Sequence, residues 1–190
     1  MKKSISLRKI LLITVIVALC VSAFLGIGVF VSGKFGDIEI KTLLTTSAVG
    51  GFSLTGLCCS VLLEKGKYKS LAISGVTISI LALLFSFDSI WDLFNLFGDQ
   101  ASDVFLTLCI LAFSMAHVSL ILLIDSYKTP VTMTVILTVV FIAIVAFMLI
   151  LDLVGDNQMG DSYFRLLGVF AILDVLGTIV TPILNKVYRD

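Results

Sequence analysis

Charge is scarce in this chain. Asp, Glu, Lys and Arg make up 14% of its 190 residues, apolar residues make up 59%, and the mean hydropathy is +1.17. A water-soluble domain carries about a quarter of its residues as charges. That class is therefore excluded, and an integral membrane protein remains. Formal net charge is zero, and basic residues cluster only at the N-terminus, so no nucleic-acid partner is expected. Histidine occurs once, at His117, and the four cysteines (Cys20, Cys58, Cys59 and Cys109) all lie in apolar runs. Without zinc-like spacing or loop exposure they read as small hydrophobes rather than ligands or disulfides. The sequence also lacks G-x-S-x-G, H-E-x-x-H, P-loop and dinucleotide-binding glycine patterns. No enzyme, cofactor or metal site is expected.

What the chain does contain is long apolar runs. A helix rises about 1.5 Å per residue, so some twenty apolar residues cross a hydrocarbon core of ~30 Å. Six runs meet this, at about 10–32, 42–64, 70–87, 103–125, 131–151 and 165–186. The expected fold is all-α, a single domain forming a bundle of six transmembrane helices. The first run follows a basic start and has a signal-peptide reading, with Val21-Ser22-Ala23 as cleavage site. It is longer than the usual 7–15-residue signal core and carries Ala18, Ser22 and Gly26 at four-residue spacing, so it reads as a retained helix.

Small residues mark where such helices meet. Ser47, Gly51 and Thr55 repeat every four residues along the second run and form a candidate packing face. After the third run, Phe87, Ile90, Leu93, Phe94 and Phe97 gather opposite Asp88, Asp92, Asn95 and Asp99. This pattern predicts an interfacial amphipathic helix over about 88–99, with Trp91 near the headgroups. Pro130 is placed to open the fifth helix, and Pro182 should loosen the last turns of the sixth.

The sixth run holds the most telling residue. Ala171, Asp174, Gly177, Thr178, Thr181 and Asn185 share one stripe, and Val169, Leu173, Leu176, Ile179, Val180 and Ile183 lie elsewhere around the helix. The stripe is a helix-facing surface with Gly177 as a packing residue, and it carries one acid near mid-bilayer. An ionised carboxylate there costs about 2.5–3.5 kcal/mol on insertion scales, so it usually has a partner or a purpose. Asp174, Thr178 and His117 form the candidate polar site. Two roles stand open for the acid: proton exchange, or a structural bond to Thr178 or a hydroxyl across the packing face. His117 would reach Asp174 if spans four and six are neighbours; otherwise Ser114 or a carbonyl is its expected partner.

Lys and Arg set orientation. The N-terminus, the 64–69 and 125–130 turns and the C-terminus hold ten of the thirteen basic residues; the other three connections hold only Lys34, Lys41 and Arg165. Both termini are expected in the cytoplasm of a cell-membrane protein, with an acidic rim outside. The inner ends LLEKGKYKS, LLIDSYKT and ILNKVYRD echo one another. Three helical-hairpin repeats would produce this echo, and so would the ordinary preference for Tyr and Lys at an inner interface.

Two function classes remain. The first is a structural or accessory membrane subunit that meets lipid and a membrane-protein partner or a second copy of itself. The alternative is a small carrier or channel, proton-coupled through Asp174. One acid, one histidine and scattered hydroxyls are a sparse lining for a hydrophilic solute, which favours the first. The topology is checked by single cysteines placed in a background without the native ones. Those at Lys67 and Lys128 should resist a membrane-impermeant thiol reagent in intact cells, and those at Gln100 and Gln158 should react. Reaction at Lys67 would invert the orientation.

Overall fold

The structure, a computed structural model, describes residues 7–32, 36–66, 68–91, 100–124, 128–155 and 159–188. Among these the fold is entirely helical. In chain order the helices are α1 (Leu7–Ser32), α2 (Asp37–Glu64), α3 (Lys69–Trp91), α4 (Ala101–Leu122), α5 (Thr129–Val154) and α6 (Asp161–Val187). Five of them, α2 to α6, are long and apolar enough to cross a membrane.

Several helices run past the apolar stretches that announced them. α2 begins at Asp37, before the expected span of 42–64, and α6 begins at Asp161, before the expected span of 165–186. The physical reason is shared. Asp37, Glu39 and Asp161 occupy first turns, where unpaired N–H groups and the positive end of the helix dipole favour a carboxylate. Pro130 stands at the start of α5, where its missing N–H breaks no helical bond. α3 continues without interruption through Trp91. Residues 88–91 of the expected interfacial helix are thus the last turn of α3, and 92–99 lie outside the described residues. Asp88, assigned by its pattern to a solvated face, is buried.

The chain divides into two compact units, Met1–Ala112 and Phe113–Asp190. In the first, α2 packs on both α1 and α3. The packed face of α3 is Ala72, Gly75, Ser79, Ala82 and Ser86, small residues at alternating spacings of three and four, all buried. They meet the half of α2 from Phe52 to Leu62, where Phe52, Ser53, Thr55, Gly56, Cys59, Ser60 and Leu62 are buried. Thr55 Oγ1 donates to Ser79 Oγ at 2.9 Å, and Ser79 passes its own proton to the Gly75 carbonyl. Phe52, Ala82 and Ala112 form the centre, with Ile78, Phe105 and Leu108 against them. At the far end the Trp91 indole N–H donates to Thr45 Oγ1 at 2.9 Å, and the Lys41 ammonium lies 5.8 Å from the ring centroid. Thr45 can accept because its proton is on the Lys41 carbonyl.

In the second unit α5 and α6 form an antiparallel hairpin. Along it the Tyr163 hydroxyl donates to the Met148 carbonyl, Phe141 meets Phe170 with ring centroids 6.1 Å apart, and Thr138 meets Gly177 and Thr181. α6 has Thr181 as its buried residue, while Val169, Ile172, Val175, Leu176, Ile179 and Ile183 are exposed. Such an apolar exterior is what lipid would cover.

Gly177 is the tightest point. A Cβ placed there would run into the Thr138 side chain, with the Thr138 Cβ 3.1 Å away. Thr138 cannot withdraw easily: it is fully buried, β-branched, and donates to the Thr134 carbonyl at 2.8 Å. Gly177→Ala should therefore cost about 1–3 kcal/mol by overpacking, less the ~1 kcal/mol that Ala contributes to helix propensity. Adding Thr138→Ala should recover much of the loss. Thermal unfolding in detergent of the two single variants and the double variant measures the coupling; additive effects would place the contact elsewhere.

Candidate functional site

The second unit brings Asp174, His117 and Thr178 together. Asp174 and Thr178 stand one helical turn apart on α6, and His117 comes from the part of α4 that belongs to the same unit. His117 Nε2 is 2.9 Å from Thr178 Oγ1, and His117 Nδ1 is 4.0 Å from Asp174 Oδ2. Thr178 Oγ1 is also 2.9 Å from the Asp174 carbonyl oxygen. The Asp174 side chain is 13% exposed and that of His117 32%.

Proton counting assigns the roles. The Thr178 hydroxyl has one proton, and the helix geometry directs it to the Asp174 carbonyl one turn back. Thr178 can then only accept from His117, which puts a proton on Nε2 and leaves Nδ1 towards the carboxylate. Two bare lone pairs facing each other repel. The arrangement is favourable when one further proton lies on Asp174 or on Nδ1, giving a neutral acid beside a neutral imidazole or a carboxylate beside an imidazolium. At 4.0 Å the pair is within ion-pair range and too long for a hydrogen bond, so the proton is not locked in place.

Asp174 Oδ1 is buried and without a hydrogen-bond partner. An unmade bond at a buried oxygen costs about 1–3 kcal/mol, more for a charge, so this carboxyl is not satisfied by packing alone. Pro182 adds a further polar atom to the neighbourhood, because it offers no N–H to the Thr178 carbonyl four residues before it. The hydroxyls of Thr181 and Thr138 donate to the Gly177 and Thr134 carbonyls. They approach each other at 3.4 Å, one to two turns from Asp174.

The four expected packing residues have different fates. Thr55 is buried in the α2–α3 contact and Gly177 lies against Thr138. Ser47 is exposed, and a Cβ on Gly51 would meet nothing within 4 Å. Along the Ser47–Gly51–Thr55 stripe, full burial is reached at Thr55, in the part of α2 from Phe52 onward where its buried residues lie. Ser114, the expected alternative partner of His117, is replaced in that role by Thr178.

Asp152 was missed. Its place beside a polar loop suggested a solvated outer rim, yet it belongs to the last turns of α5 and its Oδ1 is buried without a partner. One signal was available: an acid in the last turn of a helix opposes the helix dipole. The α3 stripe from Ala72 to Ser86 was legible too, through its spacing of three and four. No known family model, curated protein or solved structure matches the chain.

Thr178→Val keeps the shape of the site and removes its only hydroxyl. It should leave His117 Nε2 without an acceptor and lower stability by about 0.6–1.7 kcal/mol, the range of membrane hydrogen bonds. Thr178→Ser should behave as wild type. Melting temperatures in detergent decide the matter, and an unchanged Val variant would mean the bond contributes nothing.

Proposed function

We propose that the chain is a six-span protein of the cytoplasmic membrane, with α1 as the first span and both termini in the cytoplasm. We further propose that it works as a small carrier or channel exchanging protons at Asp174 and His117. The observation that carries this reading is the Asp174 carboxyl itself, with one oxygen 4.0 Å from His117 Nδ1 and the other buried and unpaired. Thr178, the hydroxyl one turn away, sits 2.9 Å from the Asp174 backbone carbonyl and leaves Oδ1 without a partner.

The chemistry needs only one proton. Taken up by the Asp174 carboxylate, it forms a neutral acid; passed to Nδ1, it makes an imidazolium beside a carboxylate. Loss of a proton from the imidazolium returns the neutral ring. Thr178 holds Nε2 throughout, so the ring keeps one face to the acid. The sparse polar lining that argued against a carrier of hydrophilic solutes does not argue against a proton, which requires few groups.

The accessory-subunit reading has its own support. α6 keeps one residue buried and an apolar exterior, a surface that a partner helix or a second copy would cover as readily as lipid. The two readings separate at one position. Asp174→Asn should fold normally and abolish proton flux in liposomes if the acid exchanges protons. In the accessory reading wild type shows no flux, and only Asp174→Leu, which leaves polar neighbours unpaired, lowers thermal stability.

A further inference from the structure

Among the described residues, two buried side-chain oxygens have no hydrogen-bond partner, and they belong to Asp152 and Asp174. Both lie along the hairpin of α5 and α6. Chance placement is a poor account of this, because each unpaired buried oxygen is costly and the hydroxyls of Thr134, Thr138, Tyr163, Thr178 and Thr181 along the hairpin each reach a carbonyl.

The Met148 carbonyl accepts the Tyr163 hydroxyl proton and, by the helical pattern, the Asp152 N–H as well. Tyr163 is therefore fixed beside Asp152, close enough for the carboxylate charge to act on it. The Tyr163 proton is directed to Met148 and so does not serve the Asp152 carboxyl. Tyr163 is the titratable group that α6 packs against Asp152; Asp161 and Arg165 on the same helix are exposed. A metal ion fits less well, for no group of three His, Cys, Asp or Glu side chains comes together among the described residues.

The hairpin register then orders the groups. Tyr163 and Asp174 are eleven residues apart on α6, about 16 Å along the helix. Between them stands the aromatic pair Phe141–Phe170, with Phe170 one turn from Asp174. Two unsatisfied carboxyls thus lie on one seam with a pair of rings between them.

We propose that Asp152 is a second proton-carrying carboxyl of the same route, taking protons at the α5–α6 loop end of the hairpin and supplying Asp174, with Phe141 and Phe170 as the barrier between the two. This rests on the proton-exchange reading of Asp174 above. Water at that end gives a proton to Asp152 Oδ1, forming the neutral acid. When the rings part, the acid releases it through intervening water to the Asp174 carboxylate and regains its charge. No bond other than O–H is made or broken, and no redox partner is required.

The test uses the full chain in liposomes holding a pH-sensitive dye, with proton flux driven by a potassium diffusion potential. Wild type should conduct, Asp174→Asn should not, Asp152→Asn should slow flux by roughly tenfold or more, and Asp152→Glu should retain it. Wild-type flux from Asp152→Asn alongside a silent Asp174→Asn would overturn the role of Asp152 and leave that of Asp174 intact. Equal slowing by Asn and Glu would overturn it too, since shape rather than the carboxyl would then matter. Absence of flux in wild type would overturn both readings. Should Asp152→Asn fail to fold, wild type treated with dicyclohexylcarbodiimide gives the answer, because that reagent adds to protonated carboxyls in apolar surroundings. Adducts on both Asp152 and Asp174, with loss of flux, are expected; an adduct on Asp174 alone would overturn the proposal.

Discussion

A helix surrounded by hydrocarbon has nothing outside itself to hydrogen-bond, and helices apolar enough to cross a membrane, as α2 to α6 are, have to meet that constraint. Backbone groups are satisfied by the helices themselves. Side-chain hydroxyls obey the same demand by turning back on their own helix: Thr42, Thr45, Thr77, Ser79, Ser86, Thr134, Thr138, Thr178 and Thr181 all donate to the carbonyl four residues earlier. What such a residue then presents to a neighbour is a methyl or methylene group and an oxygen able to accept. Helix contacts in both units accordingly rest on close approach of small residues, with only a few bonds passing between helices.

That background makes the exceptions informative. Asp174 cannot fold its carboxyl back onto its own carbonyl ladder, because a carboxylate accepts and does not donate. His117 needs an acceptor for Nε2 and finds one in Thr178, whose oxygen is free to accept because its proton is already placed. The same logic explains Trp91 and Thr45. In each case a self-satisfied threonine serves as the acceptor for a ring N–H from another helix.

The apolar runs were legible from composition, since nothing but helices and closed barrels suits such sequences. Helix ends were less so: hydropathy marks where lipid should stop, whereas Asp37, Glu39 and Asp161 extend helices into polar sequence through the dipole. The polar stripe of α6 was readable from spacing because helical period is a property of one segment. Its partners were not, because the proximity of His117 to Thr178 is separated by 61 residues of chain and no local pattern encodes it. Asp152 failed for the opposite reason, being judged by its loop neighbours when its helix and Tyr163 determine its surroundings. For Ser47 and Gly51, a regular repeat implied contact that depends on where α2 and α3 come together.

The self-contained hydroxyls also bear on biosynthesis. A helix whose Thr and Ser groups are satisfied internally can rest alone in lipid as soon as it leaves the translocation machinery, before any neighbour exists. The Thr45 oxygen awaits Trp91, and His117 awaits Thr178. Asp174 reverses the order, arriving in the last helix when α4 is already made. In a membrane, the Asp174 carboxyl would therefore meet the bilayer only after its partner, and would not have to be held there alone.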